Sequence, residues 1–495
     1  MRSIAFDEEK YIRIQSEKIM ERVNMFNNKL YLEFGGKLFD DGHASRVLPG
    51  FEPDVKVKML KNISSEAEIV IAINANDIEK NKTRGDSGIT YAQEVLRLID
   101  AFRGIGLYVG SVVITQYSNQ AAADKFRSQL TELEIKTFLH YPIEGYPTNI
   151  DLIISDEGYG KNEYIETSRP LVVMTAPGPG SGKMATCLSQ IYHDHKKGIA
   201  SGYAKFETFP IWNLPLKHPV NIAYEAATVD LDDVNMIDPF HLEAYGIQTV
   251  NYNRDIEIFP VLNRMMSKIM DESPYKSPTD MGVNMIGYCI INDEAARKAS
   301  YDEVIRRYYK ALVDRRQGDA SDELVRRMET LMSQADIDIN QRAVIAAALK
   351  KAEDTQSPAV AIELNDGQMI TGKTSSLFGA SAAAIINALK VLANIDDDIM
   401  LISPFIIEPV QSLKTEMLGN SNPRLHIDEM LIALSISARM NPAAEKALSV
   451  IPQLKYCQAH SSVILSSGDQ DLFKKLGMNL TMEPVYKTKK LFHNK

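Results

Sequence analysis

Two stretches of this 495-residue chain place glycines, a lysine and hydroxyls where they could cradle a phosphate. The Walker pattern, Gly-x-x-x-x-Gly-Lys-Ser/Thr, works because glycines let consecutive backbone N–H groups point at phosphate oxygens, while the lysine adds charge and the hydroxyl binds magnesium. The literal match is Gly367-Gln-Met-Ile-Thr-Gly372-Lys373-Thr374. Its middle residues favour strand and it follows Asn365-Asp366-Gly367, a hairpin-turn signal, whereas a phosphate loop needs a strand before it and a helix directly after it. A hairpin is therefore expected there, with Lys373 binding no nucleotide. The second stretch, Ala176-Pro-Gly178-Pro-Gly180-Ser181-Gly182-Lys183, departs from the literal pattern but has its context. The β-run Leu171–Thr175 precedes it and a helix, Met184–Lys197, is predicted after it. Its glycines permit positive φ and close anion approach, and the helix start adds its positive dipole end. Gly178, Gly180, Ser181, Gly182 and Lys183 are thus the expected phosphate contacts, with Lys183 stabilising charge on a transferred phosphoryl group. Met184 stands where the magnesium-binding hydroxyl would be, so any metal would need carboxylates from elsewhere.

Other chemistry-bearing residues are scattered. His193 and His195, two apart on a predicted helix, point about 200° apart and cannot share a metal. Ser277-Pro-Thr-Asp280-Met-Gly-Val-Asn284 is a polar turn in which Asp280 and Asn284 could contact substrate, with helix capping the rival role. Thr374, Ser375 and Ser376 precede an alanine-rich helix and offer hydroxyls near free N–H groups, as an anion site or a plain cap would. Cys457-Gln-Ala-His460-Ser461 combines a thiol, an imidazole and a hydroxyl, but in an extended chain Cys457 and His460 face opposite ways, which weakens a nucleophile–base pair.

Positioning such residues requires several domains, because 495 residues exceed what one hydrophobic core usually organises. After a helical lead-in (Asp7–Asn27), β-rich runs at Leu30–Phe34, Glu68–Ala75, Ser111–Gln116, Thr137–Tyr141, Asp151–Ser155 and Leu171–Thr175 alternate with helical stretches such as Tyr91–Arg103. That alternation predicts a Rossmann-like three-layer α/β domain over residues 1–290. A small all-helical domain is expected at 291–356, where no strand candidate occurs. A C-terminal α+β domain is expected at 357–495, with strands Val360–Leu364, Gln368–Thr371, Ile399–Ile402 and Ser461–Leu465 and a helix Ala382–Leu392. The net charge of −10 opposes non-specific attraction to nucleic acid or anionic membrane. Three widely spaced cysteines match neither a disulfide framework nor paired zinc ligands, and no run of about 18 apolar residues occurs. The sequence therefore reads as cytoplasmic, with a small phosphorylated ligand as its expected partner and a homo-oligomer compatible with it.

Two resemblances add to this reading. Gly202-Tyr-Ala-Lys205-Phe-Glu207-Thr resembles the second strand of dethiobiotin-synthetase-like P-loop enzymes. That likeness implies that Lys205 and Glu207, on one strand face, point to substrate, and makes Asp230, Asp232, Asp233 and Asp238 the place to seek metal ligands. Over nearly its full length, the order Phe34-Gly-Gly-Lys-Leu, Thr175–Lys183, Ser277–Asn284 and Cys457–Ser462 resembles a bacterial family catalogued as domain of unknown function 1846. The resemblance implies the same three-part architecture and names no reaction. The expected activity is phosphotransfer or activation of a small substrate with ATP, or another phosphorylated nucleotide, and magnesium. Lys183, Lys205 and His460 are the candidate catalytic groups. The rivals are a non-catalytic metabolite-binding or scaffolding protein, and a metal-independent enzyme whose interdomain site uses His460, Ser461, Asp280 and Thr374–Ser376.

Overall fold

The computed structural model describes residues 3–487 except 28, 37, 40 and 85–87. Two compact units emerge, one formed by Ile4–Glu225 with Asp232–Ala296, the other by the described residues from Arg297 onward with Ala226–Leu231.

In the first unit, strands β1 (Leu30–Phe34), β2 (Ala67–Asn74), β3 (Tyr108–Thr115), β4 (Lys136–Leu139), β5 (Leu171–Thr175) and β6 (Gly202–Phe206) lie in one sheet. β7 (Asn235–Ile237) and β8 (Val250–Tyr252) make a separate antiparallel ribbon, and β9 (Gly282–Val283) joins the large sheet at its edge. The order is β4-β3-β2-β5-β1-β6-β9, and every neighbouring pair is parallel. β2 is buried along nearly its whole length and β5 entirely, which is why both read as unbroken apolar runs. The helix Tyr91–Gly104 packs on β2 and β3, and the helix Lys183–Lys196 on β1, β5 and β6. The chain leaves β2 towards β3 but leaves β5 towards β6, and it leaves β1 towards β2 but β6 towards β9. Connections thus diverge at the carboxyl ends of two strand pairs, β2/β5 and β1/β6, where open α/β sheets form ligand crevices.

The second unit begins with helices Asp293–Gln317, Asp322–Gln334 and Ala343–Thr355, with no described strand among them. Arg297 is where this unit starts, so the first helix spans the division. The last of these helices packs on β10 (Ala359–Glu363), β11 (Met369–Lys373) and β12 (Gln458–Ser461), which with β13 (Asn479–Met482) form a mixed sheet in the order β11-β10-β12-β13. Its core joins Val360 and Ile362 to Ile385, Leu389, Met430 and Leu434.

Three expected strands differ. Asp151–Ser155 holds a short helix, Ile150–Ile153, capped by the Asn149 side chain, so local capping overrides the apolar pattern. Ile399–Ile402 is not a strand, since Asn441 bonds the carbonyls of Met400 and Leu401 where a ladder would be. The strand expected at Ser461–Leu465 lies earlier, ending at Ser461. No helix among the described residues is long and apolar enough to cross a membrane.

Candidate functional site

The loop after β5 is built from its carbonyls outward. Ser181 Oγ donates to Gly178 O at 2.8 Å, Asn74 Nδ2 at the end of β2 to Gly180 O at 3.2 Å, and Thr115 Oγ1 at the end of β3 to Ser181 O at 2.9 Å. With these carbonyls tied to the protein, the N–H groups of Gly182, Lys183 and Met184 find no acceptor among the described residues. Gly182 caps the helix Lys183–Lys196 at φ +82°, a conformation that other residues resist, and lends no side chain to the cap. At Gly178 a Cβ would lie 2.2 Å from Tyr91 Oη, so here glycine is needed for close packing. Lys183 is half-buried and pairs with no carboxylate among the described residues. A helix start with free amides and an unpaired cation is suited to an anion.

Beside it, at the β1/β6 divergence, lies a denser set of charges. Lys205 of β6 bonds Tyr252 Oη and Asp255 Oδ2, and its Nζ lies 3.0 Å from Glu207 Oε1. All three charged side chains are at least five-sixths buried. Burial alone would lower the Lys205 pKa, but Asp255, Tyr252, Glu207 and Glu33 outweigh it and raise it well above the usual value. Burial, opposed by Lys205 and helped by Asp255, pushes Glu207 up to about 8. The 3.0 Å contact suggests an ordinary ion pair, whereas the raised pKa implies a neutral carboxyl. The second description fits better, because Lys205 is committed to Asp255, and Glu207 hydrogen-bonds Asp255, whose carboxyl is held below its usual range despite burial. Two buried carboxyls, one with its pKa raised and one with its pKa lowered, thus face one lysine.

Glu33 of β1 extends this cluster and accepts from Tyr203 Oη at 2.7 Å. Burial and Glu33 push Tyr146 up to about 12. The fully buried Cys187 thiol is raised by burial and by Glu33 and lowered by Lys183, so both charges act on one buried sulfur. The loop follows β5 and the cluster lies on β1 and β6, with Glu33 level with both Met174 and Lys205, so the two sit at the carboxyl edge of three neighbouring parallel strands.

Other expected site residues are distributed differently. Asp238 is fully buried and saturated, accepting from Phe240 N, His241 N, Thr279 N and Thr279 Oγ1. Asp233 is paired with Arg254, Asp230 is exposed on a short turn and Asp232 sits at φ +57°. No group of three His, Cys, Asp or Glu side chains placed to hold a metal occurs among the described residues. Asp280 accepts from Tyr245 Oη and Lys276 N, and the buried Asn284 amide bonds the carbonyls of Thr208 and Pro210. Of the Phe34–Leu38 motif, Lys37 lies outside the described residues. His193 is half-buried and His195 exposed on the helix after the loop.

In the second unit, Ser375 Oγ accepts from Leu377 N and Phe378 N, Ser376 O from Gln411, and Thr374 N donates to Pro358 O. Ser461 Oγ donates to Val463 O. His460 is fully buried, with Nδ1 2.8 Å from Thr481 Oγ1 and Nε2 3.2 Å from Glu483, and burial lowers its pKa. Burial pushes Cys457 up to about 11. Gly367 lies in the turn between β10 and β11, Met369–Lys373 is β11 itself, and a Cβ on Gly372 would lie 2.1 Å from Ala384 N, so that glycine serves helix-on-strand packing.

Residues the sequence reading passed over are Glu33, Asn74, Tyr203, Tyr252 and Asp255. A lone carboxylate in an otherwise apolar strand, Leu-Tyr-Leu-Glu33-Phe, is the one signal that could have found any of them.

Comparison with known sequences covers nearly the whole chain. The description "Domain of unknown function DUF1846, N-terminal" matches residues 4–336 and its C-terminal counterpart residues 340–492. A UPF0371 protein of Streptococcus pyogenes serotype M5 is 58% identical over 492 residues, covering 99% of this chain and 100% of that protein. A UPF0371 protein of Streptococcus thermophilus shows the same identity and coverage. With both halves matched and relatives aligned along their whole length, this chain belongs to the DUF1846 family.

Proposed function

We propose that this protein binds a phosphorylated small metabolite or nucleoside triphosphate at Gly178–Lys183 and acts on it with the Glu33–Lys205–Glu207–Asp255 cluster. The observation that carries this reading is the adjacency of unpaired helix-start amides and Lys183 to a mostly buried lysine facing a carboxyl held protonated near neutrality. The loop amides and Lys183 hold the phosphate oxygens. Glu207 donates its proton to an oxygen of the substrate as charge develops there, and Lys205 stabilises the resulting charge. Met184, lacking a hydroxyl for magnesium, favours a second reading, binding without phosphoryl transfer.

Isothermal titration with nucleotides and sugar phosphates, with and without magnesium, tests the proposal. A charged hydrogen bond to an anion contributes about 1.5–3 kcal/mol, so Lys183→Ala should weaken binding roughly 10- to 150-fold while the protein stays folded. Lys373→Ala should bind as wild type does. Failure of folded wild type to bind any phosphorylated ligand sinks the reading, and binding without release of phosphate or product selects the second one.

A further inference from the structure

The second unit leaves an apolar face uncovered. Its helix Ile427–Ser437 buries Ile427, Met430, Ala433 and Leu434 on one side yet exposes Ile432 and Ile436, one turn apart, on another. Asp428, Ser435 and Arg439 are exposed around the two isoleucines at helical spacing, as the polar rim of an interface surrounds its apolar centre. The preceding helix, Pro404–Ser412, packs against it and carries in its first turn Phe405, which is 83% exposed. That helix runs into a π-helical turn, Leu413–Met417, a rare geometry found mostly at functional places. Lys414 in this turn is pinned to Glu429 of the apolar helix at 2.7 Å, leaving Met417 and Leu418 outward at 78% and 71% exposure. At the far end Met440 is 83% exposed, and its neighbour Asn441 bonds the carbonyl of Met400.

We infer that this face is an isologous interface covered by a second copy of the same chain. Taking roughly 200 Å² for a fully exposed large apolar residue, Phe405, Met417, Leu418, Ile432, Ile436 and Met440 alone expose on the order of 800 Å². A typical monomer's largest patch is about 300–600 Å², whereas about 800 Å² per partner is what a standard stable interface buries. Homodimer interfaces are the more apolar class, and two-fold pairing of one patch with itself is the commonest assembly. The net charge of −10 disfavours an anionic lipid surface as the occupant.

Sedimentation velocity of the full-length chain at micromolar concentration tests this. Wild type should sediment as a dimer, and the double variant Ile432→Lys with Ile436→Lys as a folded monomer, while Ile247→Lys, equally exposed but in the first unit, should remain dimeric. If the double variant fails to fold, Ile436→Cys provides the readout. The three native cysteines are buried, so the introduced thiol should be shielded from labelling when concentrated and react freely on dilution. A monomeric wild type would mean that another partner covers the face. That result, a double variant that stays dimeric, or a thiol labelled equally at all concentrations would each overturn the inference.

Discussion

Replacing Glu207 with glutamine isolates the most unusual electrostatic feature of the first unit. Its carboxyl is raised from an ordinary 4.5 to about 8. Below the lower value both folded and unfolded chains are protonated there, and the group has no effect on stability. Between the two values the unfolded chain gives up the proton while the folded one keeps it, so stability falls by about 1.4 kcal/mol per pH unit. Above the upper value the full penalty is in place. Glutamine never ionises, so Glu207→Gln should gain on wild type as pH rises from 4.5 to 8, by on the order of 4 kcal/mol in total. Trp212 is the only tryptophan and belongs to the first unit, where its indole donates to Asn284 O, so its fluorescence reports the unfolding of that unit. Denaturant titrations at a series of pH values, taken as the difference between variant and wild type, cancel the other titrating groups. A difference that stays flat, or shrinks with pH, would refute the reasoning and make Lys205–Glu207 an ordinary ion pair.

Two further outcomes are expected. Lys205→Met leaves Glu33, Glu207 and Asp255 without their cation and should cost about 3–5 kcal/mol near neutrality, less in acid where the carboxyls protonate; an equal loss at every pH would contradict it. Gly372→Ala pushes a methyl into the backbone of the helix Ala380–Leu392 and should destabilise the second unit by about 1–3 kcal/mol in urea titrations without altering phosphate-ligand binding, whereas a neutral effect would show that the close approach is not needed.

Much of the architecture was legible because burial writes itself into apolar runs. β5 was readable to the residue, since both faces of a central parallel strand exclude polar side chains. Asp151–Ser155 misled because a short apolar run does not tell strand from helix until its cap is known. The loop 177–183 could be read from glycine spacing, and Lys205 with Glu207 from their shared strand face. Asp255 could not, because it meets Lys205 only after the β7–β8 ribbon has carried the chain back to β6, a long-range event with no local signature. Likewise the tie from Asn74 to Gly180 joins residues 106 apart. The literal Walker match was read correctly as a hairpin with Gly367 in its turn, but the packing of Gly372 against the backbone of a helix is a property of three dimensions alone.

The position of β1 has a consequence for how the chain is made. This strand leaves the ribosome before both neighbours that complete its hydrogen bonding, β5 and β6, which lie more than 130 residues later. At roughly 5–20 residues per second, Leu30–Phe34 waits on the order of ten seconds or more before β6 emerges. In that interval β2, β3 and β4 can already pair in sequence order. The nascent chain therefore carries an apolar strand with both edges open, a natural substrate for holding chaperones.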